Sequence, residues 1–280
     1  MQQFTITKQN VFNFKTWLLE NERSELTVEK YIRDVNFFIS FLSGNSLTKQ
    51  SLIDFKKRLI ESYKPASVNS MIASVNSFLR FSNLNSMCLK QLKIQRKIYV
   101  SEDKELTKAE FLRLVDTANR EKNERLSLII QTICATGIRV SELKFITVEG
   151  VKSGETTVDL KGKRRVVFIV PKLKNKLLAY IQKKGIKCGA VFVTKSGAPV
   201  SRSNVWREMK ALCEEAGVNK NKVFPHNLRH LFARTFYGIE KDIVRLADIL
   251  GHSSVNTTRI YVMTTSKEHS KQMQNMRLII

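Results

Sequence analysis

Apolar residues recur along the first hundred positions with the period of a helix that buries one face. From Val28 they run Val28, Tyr31, Ile32, Val35, Phe38, Ile39 and Leu42. The same spacing returns at Val68, Met71, Ile72, Val75, Phe78 and Leu79, with shorter amphipathic stretches at about 9–20 and 49–61. Each stretch leaves one stripe to cover, so the spacing predicts four helices packed on one another. The other side of the fourth helix carries Asn69, Ser70, Ser74, Asn76, Ser77 and Arg80, all small or donor-bearing, and no acid. A solvated face usually mixes in glutamate, so this one is expected to lie along a phosphate backbone or against a partner helix.

The pattern breaks at residues 90–104, which carry a basic run. The resulting division is a helical domain over 1–97, a linker over 98–104 and a second domain over 105–280. Thr107 and Glu110 have the spacing of a capping box, which opens a helix. A further helix is expected over about 123–136, stopped by Gly137. Alternation around a basic turn, from Thr157 to Leu160 and from Val166 to Val170, predicts a β-hairpin, and Val191–Val193 is expected to add a strand. From Asn204 onward the pattern is mainly helical. Thr265 and Glu268 suggest a capping box for a last amphipathic helix over 266–280, ending in Met273, Met276, Leu278 and Ile279. The fold class is therefore mainly α with one small hairpin or sheet.

Composition narrows the function. Over the 280 residues, 42% are hydrophobic and 26% charged, which excludes wholesale disorder, and no run is long and apolar enough for a membrane span. The first residues have no export-signal pattern, so a cytoplasmic protein with no membrane partner is expected. Lys and Arg number 48 against 25 Asp and Glu, a formal charge of +23. The charges are segregated as well as numerous: residues 62–101 hold six Lys or Arg and residues 160–207 hold thirteen, with no acid in either. That arrangement favours a surface that follows phosphates over a generic basic coat, and predicts nucleic acid as the partner. Four cysteines without a Cys-x-x-Cys pair give neither a zinc ribbon nor a disulfide framework.

Three of the four histidines fall within 27 residues. His226 and His230, at i and i+4, would share a helix face, which raises a zinc pair as an alternative. The glutamate of a zinc-protease motif is absent, however, and Arg229 adjoins the pair, so the arrangement suits an anion better than a cation. Arg139 follows Gly137-Ile138, and Arg229 sits among the histidines. Two guanidiniums can each fork two donors onto the oxygens of one phosphate and favour its five-coordinate transition state. The string from Gly251-His252 to Tyr261 then places a phenol nine residues beyond a histidine. Cations nearby stabilise a phenolate, which makes the phenol a usable nucleophile.

With these segments in order, the sequence resembles the tyrosine recombinases of the phage integrase family. The likeness runs over about 8–277 and is strongest over 132–262. Thr136-Gly-Ile-Arg139-Val-Ser-Glu142 looks like the first arginine box, Pro225-His226-Asn-Leu-Arg229-His230 like the His-x-x-Arg box, and Leu250-Gly-His252 through Thr257-Thr258-Arg-Ile-Tyr261 like the final box. The resemblance implies a four-helix, SAM-like core-binding domain followed by a mixed α/β catalytic domain. It implies that Tyr261 attacks a DNA phosphodiester to form a 3′-phosphotyrosyl link, with Arg139 and Arg229 on the non-bridging oxygens and His252 as a further donor. His226 would take the phenolic proton, and a hairpin lysine would protonate the departing 5′-oxygen. That lysine is Lys161, with Lys163 as runner-up, because the family's Gly-Lys-Gly here reads Leu160-Lys161-Gly162. Met263 stands where the family often has histidine. Glu142 would orient its neighbours, and His230 would be structural.

No metal, cofactor, ATP or small-molecule substrate is implied. The implied partner is double-stranded DNA, and the implied assembly on it is a homo-oligomer, a dimer per site and a tetramer on DNA, with the 266–280 helix docking on a neighbouring protomer or in cis. The layout resembles minimal Xer-like or integron-like recombinases of chromosomes and mobile genetic elements. Two readings of other kinds compete: a DNA-binding regulator without catalysis, which would not require Tyr261, and a type IB-like topoisomerase, which would need no defined site.

Overall fold

The chain divides into two units, Met1–Arg96 and Lys97–Ile280. In a computed structural model of the protein, the described residues are 6–94, 104–160, 162–261 and 274–275, without the side chains of Leu160 and Lys163. The expected linker, apart from Lys104, the Thr265–Glu268 box and the 266–280 helix, apart from 274–275, lie outside the described residues.

The first unit holds α1 (Lys8–Glu20), α2 (Glu25–Leu42), α3 (Lys49–Ser62) and α4 (Pro65–Phe81). Each start has a local cause. Thr7 and Thr48 accept from backbone N–H groups of the first turn in reciprocal capping boxes, and Pro65 opens α4 where no N–H partner is needed. The apolar stripes meet as read: Phe14, Leu18, Val28, Val35 and Phe78 form one cluster, and Phe38, Leu52, Phe55, Val68, Ile72 and Leu79 another. Burying each such side chain contributes about 1.5–3 kcal/mol.

The polar side of α4 departs from expectation. Asn76 donates to Leu89 O at 2.8 Å and accepts from Leu89 N at 2.8 Å; Asn69 does the same for Leu92 at 2.9 and 2.7 Å. Ser74 is buried, donating to Asp34 at 2.8 Å and accepting from Lys30 at 2.9 Å. A carboxamide offers both a donor and an acceptor, so it can satisfy one residue of extended backbone completely. Half of the face read as a phosphate track, Asn69, Ser74 and Asn76, thus holds the chain's own 89–92 segment and the buried Asp34. Ser70 and Arg80 remain exposed.

The second unit holds α5 (Lys108–Arg120), α6 (Glu124–Thr136), a 3₁₀ stretch Val140–Phe145, α7 (Val148–Ser153), β1 (Glu155–Leu160), β2 (Lys163–Phe168), α8 (Pro171–Lys184), α9 (Arg202–Ala211), α10 (Pro225–Glu240), α11 (Ile243–Leu250) and α12 (Val255–Arg259). The Thr107–Glu110 box caps α5 as its spacing predicted. Helix α6 is apolar nearly all round, with Leu126, Ile129, Ile130 and Ile133 buried among α5, α8, α9 and α10. It fixes where Gly137 emerges.

β1 and β2 pair antiparallel from Glu155 opposite Phe168 to Leu160 opposite Lys163, and are the only strands among the described residues. The strand expected at Val191–Val193 does not form. Val193 makes a single bridge with Pro199, and Ala190 one with Thr147. Positive φ at Gly189 (75°) and Gly197 (81°) bends the segment, and Pro199 has no N–H for a ladder.

Candidate active site

Helix α6 ends on Gly137, whose φ of +64° closes the helix. A Cβ there would stand 2.5 Å from the Phe232 ring of α10, so only glycine fits. The chain then buries Ile138 and places Arg139 at the start of the 3₁₀ stretch. Glu142, one turn on, accepts from Arg139 N at 2.9 Å and from its Nη1 at 2.8 Å. The same carboxylate, 1% exposed, accepts from Arg165 Nη2 of β2 at 2.8 Å. A carboxylate this deep is tolerable only because two guanidiniums neutralise it. It holds Arg139 in place, while the Arg139 side chain itself stays 37% exposed.

Helix α10 opens with Pro225 at its first position and presents His226, Arg229 and His230 over successive turns. Arg229 is 1% exposed. Its Nη1 donates to Gly137 O, and its Nη2 to Leu250 O at 2.7 Å and to His252 Nε2 at 3.0 Å. Gly137 and Gly251 are the left-handed residues that end α6 and α11, so one arginine joins the C-terminal ends of two helices. Its Nε has no partner among the described residues.

Past Gly251, His252 N donates back to Ala247 O at 2.9 Å, and Ser254 caps the short α12. Tyr261 follows, 5% exposed, its N donating to Thr258 O at 2.9 Å. The phenol ring lies among three imidazoles, with centroids 4.3 Å from His230, 5.3 Å from His252 and 5.5 Å from His226. Tyr261 Oη stands 3.3 Å from His226 Nε2. The structure therefore brings Arg139, His226, Arg229, His252 and Tyr261 together. Lys161 lies outside the described residues, as does the side chain of Lys163.

Electrostatics follow from the burial of so many cations. Burial, and then the Arg139 charge, lower Arg229 to about 10, so it stays protonated at neutral pH. Burial and then Arg229 pull His252 down to about 4, with Arg139, Arg165 and His226 adding to the shift. His230 falls to about 4 through burial, His226 and Arg229. His226 is lowered by burial and by Arg229, Arg139 and Arg202. The imidazoles are thus neutral at pH 7. A guanidinium N–H cannot accept, so His252 Nε2 must accept from Arg229, and Nδ1 carries the proton toward Thr258 Oγ1 at 2.8 Å.

Stability is linked to these histidines. Unfolded, each binds a proton near 6.5; folded, His230 and His252 do so only near 4. Between those values the unfolded chain holds more protons, so stability is intact above pH 6.5 and falls steadily toward pH 4. Thermal melts across that window should show the decline, and His230→Phe should make it shallower while leaving the share that His252 contributes.

The residue assigned no role in the sequence reading is Arg165. Besides Glu142 it donates through Nε to Ile249 O at 3.2 Å, and its Cδ lies 2.7 Å from where a Cβ on Gly251 would be. It therefore ties the hairpin to the first and last boxes at once. Its place in a basic turn gave no sign of this, and only the tertiary pairing with Glu142 shows it. Arg165→Met should cost about 1–3 kcal/mol in denaturant unfolding, because Glu142 and Ile249 lose a buried donor.

The family model described as "Phage integrase family" matches residues 104–268, and "Phage integrase, N-terminal SAM-like domain" matches 13–83. The chain belongs to the phage integrase family. All three boxes fall inside the first of those matches. Among curated relatives of this chain, tyrosine recombinase XerA of Pyrococcus furiosus is 27% identical, covering 100% of this chain and 98% of the relative. A crystal structure of XerA recombinase superposes with TM-score 0.53 at 24% identity, over 98% of this chain and 100% of that one. A lambda integrase tetramer bound to a Holliday junction gives TM-score 0.75 at 16% identity, over 93% and 78% of the two chains. These two likenesses are of fold. Among the described residues of this family member, no helix is long and apolar enough to cross a membrane.

Proposed function

We propose that this chain is a site-specific DNA recombinase that cuts and rejoins duplex DNA through Tyr261. The observation that carries the reading is the phenol hydroxyl 3.3 Å from a neutral imidazole nitrogen, His226 Nε2, beside guanidiniums that act electrostatically on the same groups. In the cleavage step His226 Nε2 accepts the phenolic proton as Oη attacks phosphorus. The new O–P bond forms at the 3′ side, the bond to the 5′-oxygen breaks, and the hairpin lysine, Lys161 or in its place Lys163, gives that oxygen a proton. Arg139, exposed and held by Glu142, takes a non-bridging oxygen. Arg229 joins it when Nη2 exchanges His252 Nε2 for phosphate oxygen, and His252 Nε2, freed from accepting, takes a proton from solvent and then donates to the phosphate. The guanidiniums supply the charge stabilisation, so neither metal nor ATP enters. The phosphotyrosine keeps the bond energy, and a second strand's 5′-hydroxyl reverses the step.

The basic segments support duplex DNA as the substrate. Lys64, Arg80, Lys90 and Lys93 are exposed on the first unit, and Arg164, Lys172, Lys187, Lys195, Arg202 and Arg207 on the second. In this reading a dimer occupies each site, and two dimers form the tetramer that exchanges strands. The tail over 266–280 then docks on a neighbouring protomer. An apolar groove of about 420 Å³ lined by Phe111, Leu231, Phe232, Phe236 and Ile239 supports that docking. Val170 lines the same groove and is exposed, as are Val166 and Phe168 at the alternate positions before it on β2.

A plasmid carrying two copies of the site recognised by the protein tests the function. Without nucleotide and with chelator present, recombined circles are expected. Relaxation of any supercoiled plasmid, with no recombinants from the two-site one, would instead indicate a topoisomerase.

A further inference from the structure

We propose that Thr258 is a positioning residue for the reaction: its hydroxyl accepts the Nδ1 proton of His252 and so aims the opposite ring nitrogen at Arg229 and the phosphate. This rests on the recombinase reading, which supplies the phosphate. Thr258 is wholly buried, and its Oγ1 lies 2.8 Å from His252 Nδ1. Across the ring, Nε2 faces Arg229 Nη2 at 3.0 Å. With no acceptor at Nδ1, the ring would have two poor choices: a buried unpaired N–H, or an N–H turned against the guanidinium.

The short α12 creates this geometry. Ser254 caps it, and Thr258 comes one turn later, under the imidazole. The same residue's carbonyl accepts from Tyr261 N at 2.9 Å. One residue thereby sets both the histidine ring and the backbone of the nucleophile. When phosphate oxygen takes over Arg229 Nη2, the Nε2 lone pair is released and takes a proton from solvent. The Nδ1–H bond to Thr258 is kept throughout, so the ring stays in place and changes at Nε2 from acceptor to donor.

Thr258→Val keeps the shape and deletes the hydroxyl, while Thr258→Ser keeps the hydroxyl and deletes the methyl; Thr258→Ala repeats the deletion if valine disturbs α12. Nitrogen-15 NMR of the full chain without DNA should find His252 protonated at Nδ1 in the wild type and Thr258→Ser, and mixed tautomers in Thr258→Val. On a nicked duplex at saturation, Thr258→Val should cleave about tenfold more slowly, the rate equivalent of one hydrogen bond, with DNA affinity unchanged. Thr258→Ser should restore the rate. A Thr258→Val protein with wild-type tautomer and rate overturns the proposal. So does a Thr258→Ser protein as slow as Thr258→Val with its tautomer intact, since the methyl would then be the cause. If the wild type forms no covalent product at all, the recombinase reading fails, and the tautomer measurement still decides whether Thr258 sets the ring.

Discussion

Arg229→Lys is expected to lose strand cleavage by at least about a hundredfold at saturating DNA, and also to destabilise the fold. The two losses have one origin. In the free protein Arg229 satisfies Gly137 O through Nη1, and Leu250 O and His252 Nε2 through Nη2. An ammonium group keeps the charge but is a single point on a flexible stem, and cannot span two helix ends as a planar fork does. At least one carbonyl at the Gly137 or Gly251 turn would be left without its donor, at a cost of about 1–3 kcal/mol. Those turns carry Arg139 and His252, so misplacing them weakens phosphate binding in the transition state as well. Denaturant unfolding reads the first effect and single-turnover cleavage of a nicked duplex the second. A lysine variant of normal stability and normal rate would mean that Arg229 neither braces the helix ends nor grips phosphate.

The sequence made the boxes legible because each is a local device. Gly137 stops a helix, Pro225 starts one and Gly251 stops another, and those signals need no knowledge of the partner. Helix faces in the first unit were legible for the same reason, since Phe38, Leu52 and Ile72 fall on period. What the local signals could not carry was the direction of polar groups. Arg229 reads as a free phosphate clamp until Gly137, 92 residues away in sequence, and Leu250, 21 away, are seen to take its donors. Asn69 and Asn76 read as an outward face because a helical period marks the apolar side and says nothing of a polar side covered by extended backbone. Val191–Val193 has strand residues, yet the bends at Gly189 and Gly197 allow it only isolated bridges.

Arg165 was hidden for a related reason. Four basic residues crowd the hairpin turn, and composition cannot say which of them turns inward. The carboxylate of Glu142, 23 positions earlier, selects Arg165, which is 11% exposed. That inward pair leaves Arg164 on the surface and links the hairpin to Arg139.

Tyr261→Phe tests the nucleophile most directly. The substitution removes one hydroxyl whose partner is His226 Nε2, so stability should change by only about 1 kcal/mol and binding of duplex DNA should persist. Incubated with a nicked duplex carrying its site, the wild-type protein should yield a denaturant-resistant adduct, and peptide mapping should locate the DNA on Tyr261. The phenylalanine protein, bound to the same duplex, should yield none. A covalent product that survives Tyr261→Phe, or that maps to a different side chain, would contradict the mechanism.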